Sequence, residues 1–145
     1  MTAPFAAVES AAQRYNQVRM TTSSPGELLL ALYDGLFRFL NGAKICVERK
    51  ELARARELLS KSYAIISELY IALDHGQAPE LCANLEALYG FCMDRVQMAS
   101  RKALVEPIEE VIRVLTPLRE AWQVAVPQAA REQHEANKAA ESSRR

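Results

Sequence analysis

Ser24-Pro25-Gly26-Glu27-Leu28-Leu29, running on through Leu32-Tyr33-Asp34-Gly35, is the stretch that decides the fold. Ser24 is placed to accept a hydrogen bond from the free backbone donor of Glu27, and Glu27 to reach back to the Ser24 amide, which closes a capping box. Pro25 stands at the first helical position, where its missing N–H costs nothing. Local chemistry therefore starts a helix here, and the leucines that follow give it an apolar stripe at the three-four spacing of a helix with one buried face.

Working outward, the pattern predicts four long helices. The first covers about 25–48 and the second about 51–74, stopped by His75-Gly76. Pro79 opens a third that ends near Arg101. Pro107 opens a fourth that ends before Pro127 and carries Pro117 as a kink. Leu28, Leu32, Leu36, Phe39 and Ala43 form the stripe of the first helix. Leu58, Ile65, Ile66, Leu69 and Leu73 form that of the second, Leu81, Leu85, Leu88, Cys92 and Val96 of the third, and Ile108, Val111, Ile112, Leu115, Leu118 and Trp122 of the fourth. No alternating strand pattern competes. Four long helices with short connections pack as an all-α, antiparallel four-helix bundle. Three segments follow: an arm at 1–23 with a short helix near 6–16, a bundle at 24–126, and a polar tail at 127–145. The tail is rich in Ala and charge and lacks an apolar face, so it is expected to stay disordered.

Composition narrows the function. Eighteen basic and 18 acidic residues cancel, so no field draws nucleic acid or anionic lipid. Cys46, Cys82 and Cys92 form no CxxC pair and read as small buried hydrophobes in a reducing compartment. The chain has no apolar run of about 18 residues to cross a membrane, and its N-terminus does not read as a secretion signal, so the cytoplasm is the expected location. The two histidines, His75 and His134, complete neither a zinc motif nor a Glu-x-x-His pair. Glu109-Glu110 and Glu48 read as solvated helix faces. No catalytic constellation, metal site or cofactor site is found, and an enzyme is not expected. The first helix, by contrast, carries apolar side chains over about half its circumference. That surplus either faces two neighbours in the bundle or forms a groove for a foreign amphipathic segment.

Read in order, the short motifs resemble the FliS family of flagellar secretion chaperones over about residues 15–122. The opening signature is carried by Tyr15, Val18, Thr22-Ser23-Ser24-Pro25, Leu32-Tyr33-Asp34-Gly35 and Arg38-Phe39-Leu40. Leu59-Ser60-Lys61, Ile65-Ile66, Glu68-Leu69 and Leu73-Asp74 fit the second helix, and Asn84-Leu85 with Leu88-Tyr89 the third. Glu110-Val111, Leu118-Arg119 and Ala121-Trp122 fit the fourth. Ser23 in place of alanine, Ala99-Ser100 in place of Ala-Asn, and Pro117 depart from the family pattern.

The resemblance implies a cytoplasmic chaperone that binds the disordered C-terminal segment of flagellin. Binding of that kind prevents premature polymerisation and supports export through the flagellar type III apparatus. Export-gate components or a co-chaperone are the further partners it suggests, and the protein itself is expected to be a monomer or weak dimer. Leu30, Tyr33 and Phe37, with Tyr63, Ile66 and Tyr70 and with Tyr89, stand at the edges of the apolar arcs and are expected to line the flagellin groove. Tyr15, Val18 and Met20 of the arm are expected to cap it, a plain strap over the bundle being the other reading. A binding module for a different export or regulatory protein and a self-associating helical bundle are the alternatives.

Overall fold

The capping chemistry at Ser24 is what the computed structural model, described over residues 24–144, shows first: the Ser24 hydroxyl accepts the Glu27 amide at 3.1 Å. From it runs α1, Pro25–Glu48. It is followed by α2, Leu52–Ile71, α3, Pro79–Lys102, and α4, Glu106–Ser143. The connections are short, so consecutive helices pack side by side and α4 closes the ring against α1.

Cross-helix pairs fix the direction of each neighbour. A Cβ built at Gly35 would face Ile65, and one at Gly42 would face Leu58, while Lys61 lies over the Phe39 ring at 5.7 Å. Positions rise on α1 as they fall on α2. Between α2 and α3, Arg56 bonds the Ser100 carbonyl at 3.1 Å and Tyr70 bonds Glu86 at 2.9 Å. Between α1 and α4, Lys44 pairs with Glu109 at 3.5 Å, Arg119 with Asp34, and Gly26 meets Val126. All three contacts are antiparallel, as the short connections require. The bundle the sequence predicts is the bundle observed.

One interior cluster unites all four helices, with Leu36, Leu40, Leu59, Ile66, Cys92, Val111 and Leu115 among its closed members. Through its centre Tyr33 of α1 meets Tyr89 of α3, hydroxyl to hydroxyl at 2.6 Å. This bond spans the diagonal between helices that are not neighbours in the ring.

α1 ends without a glycine. Lys50 takes the left-handed conformation at φ 60, and the Glu51 amide reaches the Cys46 carbonyl at 2.8 Å while Lys50 reaches Val47 at 3.0 Å. That double bond pattern satisfies the last carbonyls of the helix.

The fourth helix departs from expectation. It holds Pro117 in its interior, as expected, but it does not stop before Pro127 and runs 38 residues, so the tail is helical to Ser143. Each proline frees the carbonyl four residues earlier, here of Arg113 and Gln123. Both residues are exposed, so water is available to those carbonyls. Past Pro127, local pairs accompany the helix: Gln128 with Glu132 at 3.3 Å and Gln133 with Asn137 at 3.0 Å. The expected short helix near 6–16 falls outside the described residues.

Candidate functional site

The register between α1 and α4 decides where this molecule has an open apolar surface. Gly26 lies opposite Val126, so close that a Cβ on Gly26 would sit 2.7 Å from Val126 Cγ1. α1 begins one residue earlier, while α4 continues for 17 residues beyond Val126. That excess is about 25 Å of helix. The two helices therefore part company at the N-terminal end of α1. There they leave a cleft of about 540 Å³, floored by Leu29 and Trp122 and walled by Val126, Ala129 and Ala130. Its outer end is polar, with Gln133, His134 and Asn137.

Below the cleft the seam is tightly made. Arg119 pairs with Asp34 and lays its guanidinium over the Phe37 ring at 4.8 Å. The Trp122 indole N–H lies toward the Tyr33 hydroxyl without closing a hydrogen bond to it. Burial raises the Tyr33 hydroxyl pKa above its ordinary value, against the smaller opposing effect of its Tyr89 and Trp122 neighbours. Tyr89 is raised by burial and by Tyr33, and burial alone pushes the Cys92 thiol up to about 12. These groups are neutral structural elements at neutral pH.

The sequence-predicted groove residues divide sharply. Tyr33, Ile66 and Tyr89 are 0%, 0% and 2% exposed and lie inside the bundle, and Phe37 is buried beneath Arg119. They do not stand on a rim. A tyrosine at the edge of an apolar arc looks amphipathic in sequence, but two tyrosines that satisfy each other's hydroxyls can both be buried. Leu30, Tyr63 and Tyr70 keep partial exposure, and Tyr70 is held toward α3 by Glu86. The structure does not bring all seven residues onto one face. Tyr15, Val18 and Met20 lie outside the described residues.

The cleft itself escaped sequence reading. Trp122, Val126, Ala129, Ala130 and Gln133 recur at helical spacing, but alanine and glutamine give a weak apolar signal, and Pro127 reads as a stop. Elsewhere Phe91 is exposed, with the Arg95 guanidinium 5.2 Å from its ring. Among the described residues no group of three or more His, Cys, Asp or Glu could hold a metal ion. No helix there is long and apolar enough to cross a membrane.

The family profile described as Flagellar protein FliS matches residues 8–129, the arm from Val8 onward together with nearly the whole bundle. The chain belongs to the FliS family. Among its relatives, the flagellar secretion chaperone FliS of Bacillus subtilis is 31% identical over 88% of this chain and 95% of its own. The FliS of Salmonella typhimurium is 30% identical over 84% of this chain and 91% of its own. The fold is shared with a solved bacterial flagellar chaperone at a TM-score of 0.68 and 24% identity, covering 83% of this chain and 98% of that one. This is a family of helical chaperones for flagellar secretion, not of enzymes. α4 beyond Ala129 lies outside the family match.

Proposed function

We propose that the protein acts in the cytoplasm as an export chaperone for flagellin. In this reading it holds the C-terminal segment of flagellin as an amphipathic helix and keeps it from polymerising before secretion. FliS family membership supports the reading. The observation that carries it is the apolar cleft at the α1–α4 seam, built on a bundle whose interior is already closed. A preformed scaffold loses little freedom on binding. The guest bears the ordering cost, which keeps the complex reversible.

The guest track starts at Leu29, Trp122 and Val126 and takes in Leu30 on the flank of α1. Tyr63 and Tyr70 on α2 offer a second half-exposed edge. Phe37, Tyr33, Ile66 and Tyr89 support this surface from within, and Tyr15, Val18 and Met20 act as a cap over it. Export-gate components or a co-chaperone are further partners consistent with a secretion chaperone.

The test is titration with a peptide from flagellin's C-terminus, followed by circular dichroism and by the fluorescence of Trp122, the single tryptophan. Helix gain with a saturable change in Trp122 emission is expected. Tyr70→Asp should weaken binding and leave the melting curve in place. Phe37→Asp should lower stability by about 3 kcal/mol or more, as an unpaired charge in the core does. A peptide that stays disordered and leaves Trp122 unchanged overturns the reading.

A further inference from the structure

Two buried N–H groups of α4 make no hydrogen bond among the described residues: the Nε of Arg119 and the indole Nε1 of Trp122. A donor shut away from water without an acceptor is destabilising, so each calls for a reason. Arg119 has one. Its guanidinium is anchored by Asp34 and lies over the Phe37 ring at 4.8 Å, a π face that offsets the loss. Trp122 has no such compensation. Its N–H lies toward the Tyr33 hydroxyl and stops short of it.

The indole has two different surroundings. Its N–H edge is sealed in the α1–α4 seam, whereas the ring floors the cleft of about 540 Å³. The cleft walls carry small side chains at Ala125, Ala129 and Ala130. A ring unpacked on that side is displaced at little cost, because few contacts are lost there. Tyr33, by contrast, is fully buried and bonded to Tyr89 at 2.6 Å. A phenolic hydroxyl donates one hydrogen and also accepts. Tyr33 can therefore donate to Tyr89 and still accept from Trp122. Trp122 acts on the Tyr33 hydroxyl and not on that of Tyr89.

We propose that Tyr33 is a positioning residue of the guest site. When an apolar group fills the cleft, the Trp122 indole is pressed inward, its N–H donates to the Tyr33 hydroxyl, and Tyr33 donates to Tyr89. The chain Trp122–Tyr33–Tyr89 then joins α4, α1 and α3, and occupancy of the cleft tightens the bundle through a bond that the empty protein lacks. The guest belongs to the chaperone reading, on which this role rests. A side chain grown into the cleft can stand in for it.

Trp122 is the single tryptophan, so its indole N–H gives one resonance in the magnetic resonance spectrum of isotope-labelled protein. Ala129→Leu or Ala130→Leu fills the cleft from its own wall, and a peptide from flagellin's C-terminus fills it from outside. Each should move the indole proton downfield and slow its exchange with water about tenfold. Tyr89→Phe leaves the Tyr33 oxygen in place and should keep these responses. Tyr33→Phe removes the acceptor and should abolish them. It should also weaken the peptide about two- to tenfold, the worth of one hydrogen bond, while the peptide still gains helix. Both substitutions break the same interior bond, so a merely structural role would change the two variants alike. An indole resonance that answers to neither leucine overturns the proposal. So does one that still answers in Tyr33→Phe, or that falls silent in Tyr89→Phe as well. The leucine variants carry no flagellin, so failure of the peptide titration leaves this result standing. A silent indole beside a peptide that binds and gains helix leaves the chaperone reading standing.

Discussion

Tyr33 and Tyr89 join α1 to α3 across the interior in a single bond. Each buries a ring, and each hydroxyl is the other's partner at 2.6 Å. Removing one hydroxyl leaves the other without that partner in a closed interior, at a cost of about 1–3 kcal/mol, whereas removing both takes the polar problem away. Tyr33→Phe and Tyr89→Phe should each lower the urea midpoint, and the double variant should recover most of the loss. A double variant as unstable as the two losses added would show that the hydroxyls act independently. The pair also shows where sequence reading reaches its limit. Both tyrosines lie on apolar arcs whose extent the sequence shows, but the 56-residue separation that makes them partners exists only after the diagonal of the bundle has formed. Leu36, Val111 and Leu115 were legible because burial of an aliphatic side chain needs no partner chemistry.

At the scale of elements, starts were easier to read than ends. Ser24-Pro25 and Pro79 announce α1 and α3 by local chemistry, and both helices begin there. α1 closes through Lys50 in a left-handed turn that glycine usually fills, and α4 continues through two prolines whose freed carbonyls belong to exposed residues. Neither outcome follows from propensity, because each depends on which side of the helix meets water. The cleft is the consequence for function: the overhang that walls it begins where the sequence suggests a stop. Its width depends on Gly26, which lets α4 approach within a distance that a methyl group would not allow. Gly26→Ala should therefore wedge the α1–α4 seam. Overpacking of this kind costs about 1–3 kcal/mol, offset by up to about 1 kcal/mol of improved helix propensity. Val126→Ala in the same chain should relieve the strain. Thermal melts of the two single variants and the double variant would read the coupling directly, and additivity would place the contact elsewhere.

Among the described residues, burial shifts the acidic protons of Cys92, Tyr33 and Tyr89 upward, which makes the whole fold sensitive to alkaline pH. Cys92, Tyr33 and Tyr89 are each at most 2% exposed. In the folded protein Cys92 is pushed up to about 12 from an ordinary 9.0, and both tyrosines lie above their ordinary 10.0. Below pH 9 all three are protonated in folded and unfolded chains alike, so stability does not depend on them. Above pH 9 the unfolded chain releases the Cys92 proton while the folded chain keeps it, and above pH 10 the same holds for the tyrosines. The unfolded state then binds fewer protons, so stability must fall as pH rises. Each group contributes a slope of about 1.4 kcal/mol per pH unit within its window. By pH 11 Cys92 alone removes about 3 kcal/mol, and the tyrosines add to that loss, a large share of the 5–15 kcal/mol typical of a folded domain. Denaturant unfolding from pH 7 to 11 should therefore show a plateau to about pH 9, a shallow decline, and a steeper one beyond pH 10. Cys92→Ala should remove the shallow segment, and Tyr33→Phe with Tyr89→Phe the steep one. A stability curve that stays level through pH 11 would mean that these side chains reach water in the folded state. It would contradict the closed interior on which a pre-built chaperone surface depends.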